Sequence, residues 1–261
     1  TAYGIGDVGP AAYAFADWCA SAGLKWWQML PLNPTDPGRG NNPYSSTSAF
    51  MGNPLLISPE LLASEQLLSE KAIEPPCDCD GERVAYDAVS AFKEKLPAKA
   101  SNRSQAIGRG ASYEQFCTAP WLDEAVLFVA AKEHFGGRPW TAWPSPIRDR
   151  EPAALDHLCN QLATRMETLR FQQYVFIRQW RRFKQYCNHL GIRLFGDMPI
   201  YVDHDSADVW ANRHLFKLDE KGIPRAVAGV PPDYFSATGQ LWGNPVYDWK
   251  ANRMQGYQWW I

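Results

Sequence analysis

From Pro10 onward the apolar positions Tyr13, Phe15, Ala16, Trp18, Cys19 and Ala22 fall on the faces of a helix. Proline suits a helix's first turn, and Gly23 supplies the left-handed stop. The run Leu24 to Leu32, closed by Pro31, predicts a short buried strand, and the Pro-, Gly- and Asn-rich stretch from Asn33 to Tyr44 predicts a long loop. The same grammar returns later. Leu169, Tyr174, Ile177, Trp180, Phe183 and Cys187 sit near helical spacing between 167 and 190, with Arg178, Arg181, Arg182 and Lys184 interleaved. Gly191 ends that helix, Ile192 to Phe195 predict a second buried strand, and Gly196-Asp197 lie at its C-terminal end. Helix, glycine, apolar strand and a polar residue ahead of a loop is the grammar of a βα barrel, in which chemistry gathers at the C-terminal strand ends. That rule points to Gln28 and Asp197.

Residues 59–165 read differently. Helical stretches such as Leu61 to Ile73 and Leu122 to Phe135 are interrupted by a polar segment, Lys95 to Gly110, and a Pro/Trp-rich stretch, Arg138 to Pro152. The expected organisation is α/β: a first barrel part over 1–58, a mostly helical insertion over 59–165, and a barrel continuation over 166–261. The segment Asp203 to Trp249 reads as irregular. Within it the loop 228–247 carries Pro231 and Pro232, which prevent helix, and Tyr234, Phe235 and Trp242, which a mere linker would not carry. Such a loop lines or covers a ligand site.

Composition narrows the function. A length of 261 residues allows one or two domains, or one barrel. A net charge of -2 gives no surface for tracking nucleic-acid phosphates, and the apolar runs are too short to span a bilayer, so neither nucleic acid nor membrane is an expected partner. The 12 tryptophans can fill a large core and leave aromatic faces to spare; ring stacking is one use for them, and plain packing is the default. The six cysteines, at 19, 77, 79, 117, 159 and 187, show no zinc spacing or disulfide framework; only Cys77 and Cys79 are close. They predict reduced thiols in a cytoplasmic compartment. The chain opens on Thr1 and stops at Trp259-Trp260-Ile261, which suggests a fragment of a longer protein and leaves a plastid address open.

Asp197 is the best single candidate for chemistry, against the alternative of an Asp that caps a turn or pairs with an arginine. Asp203-His204-Asp205 with Asp208 has metal-binding residue types, but neighbouring side chains diverge. Capping of a short helix through Trp210 by Asp205 or Ser206 fits better, and no metal or other cofactor is expected. Ser45, Ser46 and Ser48 lack a nucleophile elbow. Gly4-x-Gly6-x-x-Gly9 follows no strand and reads as a turn.

Eight runs taken in order resemble the amylomaltase (4-α-glucanotransferase) family: Tyr3-Gly4-Ile5-Gly6-Asp7, Trp27 to Leu32, Pro43-Tyr44-Ser45, Gly52 to Leu55, Gly196 to Val202, Asp205 to Trp210, Gly229 to Ser236 and Gly239 to Tyr247. The resemblance implies a (β/α)8 TIM barrel, here partial, and retaining transfer of α-1,4-glucan segments between malto-oligosaccharides. It implies a supporting catalytic role for Asp197 and glucan binding by Tyr44, Asp233, Tyr234, Phe235, Gln240 and Trp242. Asn42 stands where the family usually has Ser before Pro-Tyr, and its amide can both donate and accept. The family's opening His-Pro-Thr-Ser-Leu strand, its Arg-x-Asp-His-Phe nucleophile run and its later Glu acid/base are not in these residues. The isolated chain is therefore expected to be inactive and poorly folded. A noncatalytic glucan-binding protein and a related retaining α-glucan hydrolase are the competing readings.

Overall fold

A computed structural model describes residues 1–75 and 83–261; Cys77 and Cys79 lie outside the described residues. The first helix, α1 (Pro10–Ser21), leads to strand β1 (Trp26–Gln28). A long loop with two 3₁₀ turns then runs to the helices α2 (Pro59–Ser64), α3 (Tyr86–Lys93), α4 (Lys95–Ile107), α5 (Ala111–Phe116), α6 (Leu122–His134) and α7 (Ser145–Arg148). Next come α8 (Pro152–His189) and strand β2 (Arg193–Phe195). The remainder holds α9 (Ala207–Ala211), strands β3 (Val227–Val230) and β4 (Gln240–Pro245), and α10 (Trp249–Met254).

β1 and β2 pair in parallel, with Trp27 opposite Leu194. Two helix-then-strand units, separated in sequence by the helices α2–α7, thus lie side by side, as the repeated grammar predicts. The strands are shorter than expected and are not buried. Trp26 is 59% exposed and Phe195 55%, because α1 and α8 cover one face of the pair while the other face has no described neighbour.

Three further expectations need correction. The helix expected from 167 starts at Pro152 and runs 38 residues, because Leu155, Leu158, Leu162 and Met166 extend its apolar stripe back to a proline at the first position. The polar stretch from Lys95 is not an interruption but the helix α4. Its buried face of Leu96, Pro97, Ala100, Ser101 and Ser104 is made of small and hydroxyl residues, which hide the periodicity. The segment 203–249 is not irregular throughout. It contains α9 and an antiparallel hairpin, β3 paired with β4, with Pro231 and Pro232 falling just after β3 where no ladder bond is needed. Gly229 is required in that hairpin because a side chain there would collide with the Gln240 carbonyl.

The main core lies where α6, α8 and α9 meet, around the fully buried Phe128, Trp140 and Trp210. Helix α8 organises the long loop after β1. Its buried Gln173 accepts from the Gly52 N–H at 2.8 Å and donates to the Gly52 carbonyl at 2.9 Å, and Gln179 makes the same pair of bonds to Ser58. Asn33 holds the loop from the other side, donating to the carbonyls of Ser48, Ala49 and Met51. Lys93, on α3, donates to Asp7 at 2.9 Å and to the carbonyls of Leu55 and Ile57, fully inside the protein. Burial pulls the Lys93 pKa down, and the Asp7 carboxylate opposes that shift. Among the described residues no helix is long and apolar enough to cross a membrane.

Candidate functional site

Strand β2 ends at Phe195, and Gly196 and Asp197 continue from it into solvent. The long loop brings Tyr44 to the same point. Asp36 accepts from the Gly38 N–H to cap one 3₁₀ turn, and Asn42 Oδ1 accepts from the Tyr44 N–H at 3.0 Å, a local turn that aims the tyrosine. An ion pair between Arg39 and Asp203 ties this loop to the segment beyond Asp197. The Tyr44 hydroxyl donates to Asp197 Oδ2 at 2.5 Å. Because that bond holds the phenol's proton, it raises the Tyr44 pKa.

The hairpin closes the other side. Gln240, Trp242 and Asn244 of β4 all face the cleft, the strand bulging between Trp242 and Asn244 where Gly243 takes a positive φ. Trp242 donates its indole N–H to Gln240 Oε1 at 3.1 Å and sets its ring edge-on to Tyr201, with centroids 6.0 Å apart. Asn244 donates to the Val202 carbonyl at 2.8 Å, which fixes the hairpin to the loop after β2. Between these walls lies a cleft of about 540 Å³, in the usual size range of small-ligand sites.

Five of the eight residues that the family resemblance places at the site line that cleft: Asn42, Tyr44, Asp197, Gln240 and Trp242. The other three do not. Tyr234 and Phe235 stand at the hairpin tip, 97% and 88% exposed, packed only against each other at 5.5 Å. Asp233 uses Oδ1 to accept from the Phe235 and Ser236 N–H groups, so here it shapes the tip. Gln28 ends β1 beside Phe195 and is not part of the lining. Sequence reasoning set Ser45 aside and gave no role to Met198, Pro199, Ile200, Tyr201 or Asn244, all of which line the cleft.

The acidic run resolves into separate jobs. Ser206 caps α9 by accepting from the Val209 N–H, as one alternative expected. Asp203 pairs with Arg39, Asp205 with Lys132, and Asp208 accepts from the Ala49 N–H. Among the described residues no cluster of three or more His, Cys, Asp or Glu side chains converges as metal ligands.

Asp197 is the single carboxylate in the cleft lining. It can accept hydrogen bonds from vicinal hydroxyls, beside aromatic faces at Tyr44, Tyr201 and Trp242 and the amides of Asn42, Gln240 and Asn244. Such a mixture suits a polyhydroxylated ring. The pair of carboxyl groups needed for glycoside cleavage is not within this lining.

A family model described as 4-alpha-glucanotransferase matches residues 1–261. The chloroplastic/amyloplastic 4-alpha-glucanotransferase of Oryza sativa subsp. japonica is 45% identical over 99% of the chain and 45% of its own length. The 4-alpha-glucanotransferase of Aquifex aeolicus is 44% identical over 99% of the chain and 52% of its own. The structure of amylomaltase from Streptococcus agalactiae in complex with acarbose superposes with a TM-score of 0.93 and 37% identity, covering all of the chain and 53% of that protein. The chain spans about half the length of the curated relatives it matches.

Proposed function

Since the chain belongs to the 4-alpha-glucanotransferase family, we propose that it supplies the substrate-holding part of an enzyme that moves α-1,4-glucan segments between malto-oligosaccharides. The observation that carries this reading is the cleft in which Tyr44 and Asp197 are hydrogen-bonded at a strand end and faced by Trp242. In this reading the two helix-strand units over 1–58 and 166–261 are parts of a (β/α)8 barrel, and 59–165 is a helical insertion. Asp197 binds sugar hydroxyls beside the bond that is cut, and Tyr44 keeps the carboxylate in place. Trp242 and Tyr201 offer ring faces along the glucan. Tyr234 and Phe235 reach the substrate when the hairpin tip folds down over it.

Chemistry follows the retaining scheme. A carboxylate nucleophile attacks the anomeric carbon while a carboxylic acid protonates the leaving oxygen, with the two groups roughly 5 Å apart. A 4-hydroxyl of another glucan then replaces water as acceptor, favoured by an aromatic loop that excludes solvent. Nucleophile and acid come from chain beyond these residues, so the 261-residue chain alone is inactive, and poorly folded around its open strands. No metal or organic cofactor enters the scheme. The scattered thiols, free at Cys19, Cys117, Cys159 and Cys187, support a reducing, cytoplasmic setting, which cell fractionation checks.

The test is incubation of the full-length protein with maltotriose. Glucose together with a ladder of longer products is expected; sugar release without longer products overturns transfer in favour of hydrolysis. Asp197→Ala is expected to depress turnover with the fold intact, and Trp242→Ala to weaken glucan binding. Unchanged kinetics in both variants removes the site assignment.

A further inference from the structure

The loop that carries Tyr44 is bonded mainly to itself. Asp36 Oδ1 accepts from the Gly38 N–H, and the Asp36 carbonyl accepts from the N–H groups of Arg39 and Asn41. The Arg39 carbonyl accepts from the Asn42 N–H, and the Asn42 carbonyl from the Ser45 N–H. Gly40 and Asn41 take consecutive left-handed conformations, with φ of 65° and 55°, which these two residue types tolerate best. Residues 36–45 therefore move as one piece. Among the described residues, two side-chain hydrogen bonds join that piece to the rest of the chain, and both go to the segment after β2: Tyr44 to Asp197 and Arg39 to Asp203.

Those two bonds differ in their surroundings. Tyr44 and Asp197 meet in the cleft, where both are exposed. Asp203 is 5% exposed and fixed in place: Oδ1 accepts from the Asp205 N–H at 2.8 Å, and its carbonyl accepts from the Ser206 hydroxyl at 2.6 Å. Helix α9 holds the far end of the same loop, with the Ala207 N–H on the Thr47 carbonyl at 2.8 Å and Asp208 on the Ala49 N–H. Burial pushes the Asp203 pKa up, and the Asp205 N–H and the Arg39 guanidinium draw it back down. Among the described residues Arg39 is the one side chain that donates to this carboxylate. A buried carboxylate without its cation is strongly penalised, so the guanidinium is held in place although its side chain is 42% exposed. Neither Arg39 nor Asp203 lines the cleft, so any effect of the pair on sugar passes through the loop.

We propose that Arg39 is a positioning residue for the glucan cleft: its ion pair with the buried Asp203 pins the 36–45 loop so that Tyr44 meets Asp197 before sugar arrives. The sugar and the reaction rest on the function proposed above; the pinning of the loop does not. Without the pin, one hydrogen bond between two exposed side chains is left to hold the loop, and such a bond contributes little. The loop then samples other positions, and an incoming sugar must order it at the expense of affinity.

The experiment pairs a maltotriose transfer assay with hydrogen exchange of the 36–45 amides, both on the full-length protein. Arg39→Met keeps an apolar stem and removes the cation. It is expected to speed exchange in 36–45 by about tenfold, and to lower kcat/KM by about fivefold, carried by KM. Arg39→Lys is expected to stay within about twofold of the parent, because the contact with Asp203 is a single N–H bond that an ammonium can also make. Since Arg39 acts through Tyr44, Arg39→Met added to Tyr44→Ala is expected to cost no further activity. A cost that repeats in full on Tyr44→Ala shows that Arg39 supports the fold at large and overturns the positioning role. An Arg39→Met protein with parental exchange or parental KM overturns it too, and an Arg39→Lys protein as impaired as Arg39→Met overturns the ion pair as its cause. A parent protein that makes no longer products from maltotriose fails the transferase reading alone, and the exchange comparison still decides the pinning.

Discussion

The helical block around α6, α8 and α9 and the strand pair β1–β2 are both rich in large aromatics and place them in opposite ways. In the block, Trp140, Trp143 and Trp210 are sealed; the Trp210 indole N–H donates to the Ile147 carbonyl, and the Arg150 guanidinium lies 4.3 Å from its ring centroid. On the strands, Trp26 and Phe195 meet edge-on and stand largely in solvent, followed by the exposed Met198 and Ile200. The block completes its own core from residues close in the fold. The strands present one apolar face that nothing in the described chain covers, and the candidate site sits at the end of that face. Stability and function are thus built into different regions, and each variant below separates them.

The largest effect is expected in the block. Trp210→Ala empties the centre of the core and strands the Ile147 carbonyl, so a loss of about 4 kcal/mol is expected in urea denaturation of the full-length protein. Trp26→Ala removes an equal volume from β1. In the 261-residue chain it is expected to cost under about 1 kcal/mol, as exposed substitutions do. In the full-length protein, where a closed barrel would cover β1, the cost rises to about 3 kcal/mol. Equal costs in the two contexts would show that β1 stays open and would remove the barrel reading.

Next comes the buried pair that ties α3 to the segment ahead of α1 and to the long loop. Lys93→Met leaves the Asp7 carboxylate buried without its cation, for an expected loss of about 3 kcal/mol. The double variant with Asp7→Asn retains the acceptor for the Gly9 N–H and is expected to recover most of that loss, read from the same denaturation curves.

A pH effect follows, again confined to the block. Burial pushes the Asp208 pKa up to about 6 from 3.8. The folded state therefore keeps its proton over a range in which the unfolded chain has released it. Stability is fullest below about pH 4, falls as pH rises toward 6, and levels off above, by about 3 kcal/mol. Asp208→Asn is expected to flatten this slope between pH 4 and 7. An unchanged slope would assign the pH dependence to another group.

How far these features could be read from residues alone differs between the regions for a physical reason. The helix-glycine-strand units were legible because helix periodicity and a glycine stop are local signals, and Asp197 followed from its place after a strand. The whole of α4 is hidden because small and hydroxyl residues, Ala100, Ser101 and Ser104, carry most of its burial without hydropathy; the start of α8 is hidden because its Leu155, Leu158, Leu162 and Met166 stripe follows directly on a Pro/Trp-rich stretch that reads as an interruption. Strand exposure was misjudged for a different reason: an apolar run says what a face needs, not whether its partner is present. In the site, Tyr44, Asn42, Gln240 and Trp242 were named from the family resemblance and do line the cleft. Tyr234 and Phe235 were named on the same grounds and point away. Residue identity does not report the position of a hairpin tip that holds itself together through Asp233 and Ser236.

The smallest expected effect is the most specific. Tyr44→Phe keeps the ring and removes only the hydroxyl that donates to Asp197. Tyr44 is exposed and packs into no core, so the denaturation midpoint should not move. The carboxylate, released from its donor, is freer to rotate, and a sugar hydroxyl that binds it must now fix its orientation. The expected cost is a three- to tenfold, at most about tenfold, weaker affinity for maltoheptaose at the Asp197 cleft. The phenylalanine ring still offers a face to stack on, so Tyr44→Ala is expected to lose more than Tyr44→Phe. If the two variants bind equally, the tyrosine acts through its hydroxyl alone. If Tyr44→Phe binds like the parent, the hydrogen bond to Asp197 is a resting contact that substrate displaces, and the ring is what the loop from Asn33 to Tyr44 exists to place.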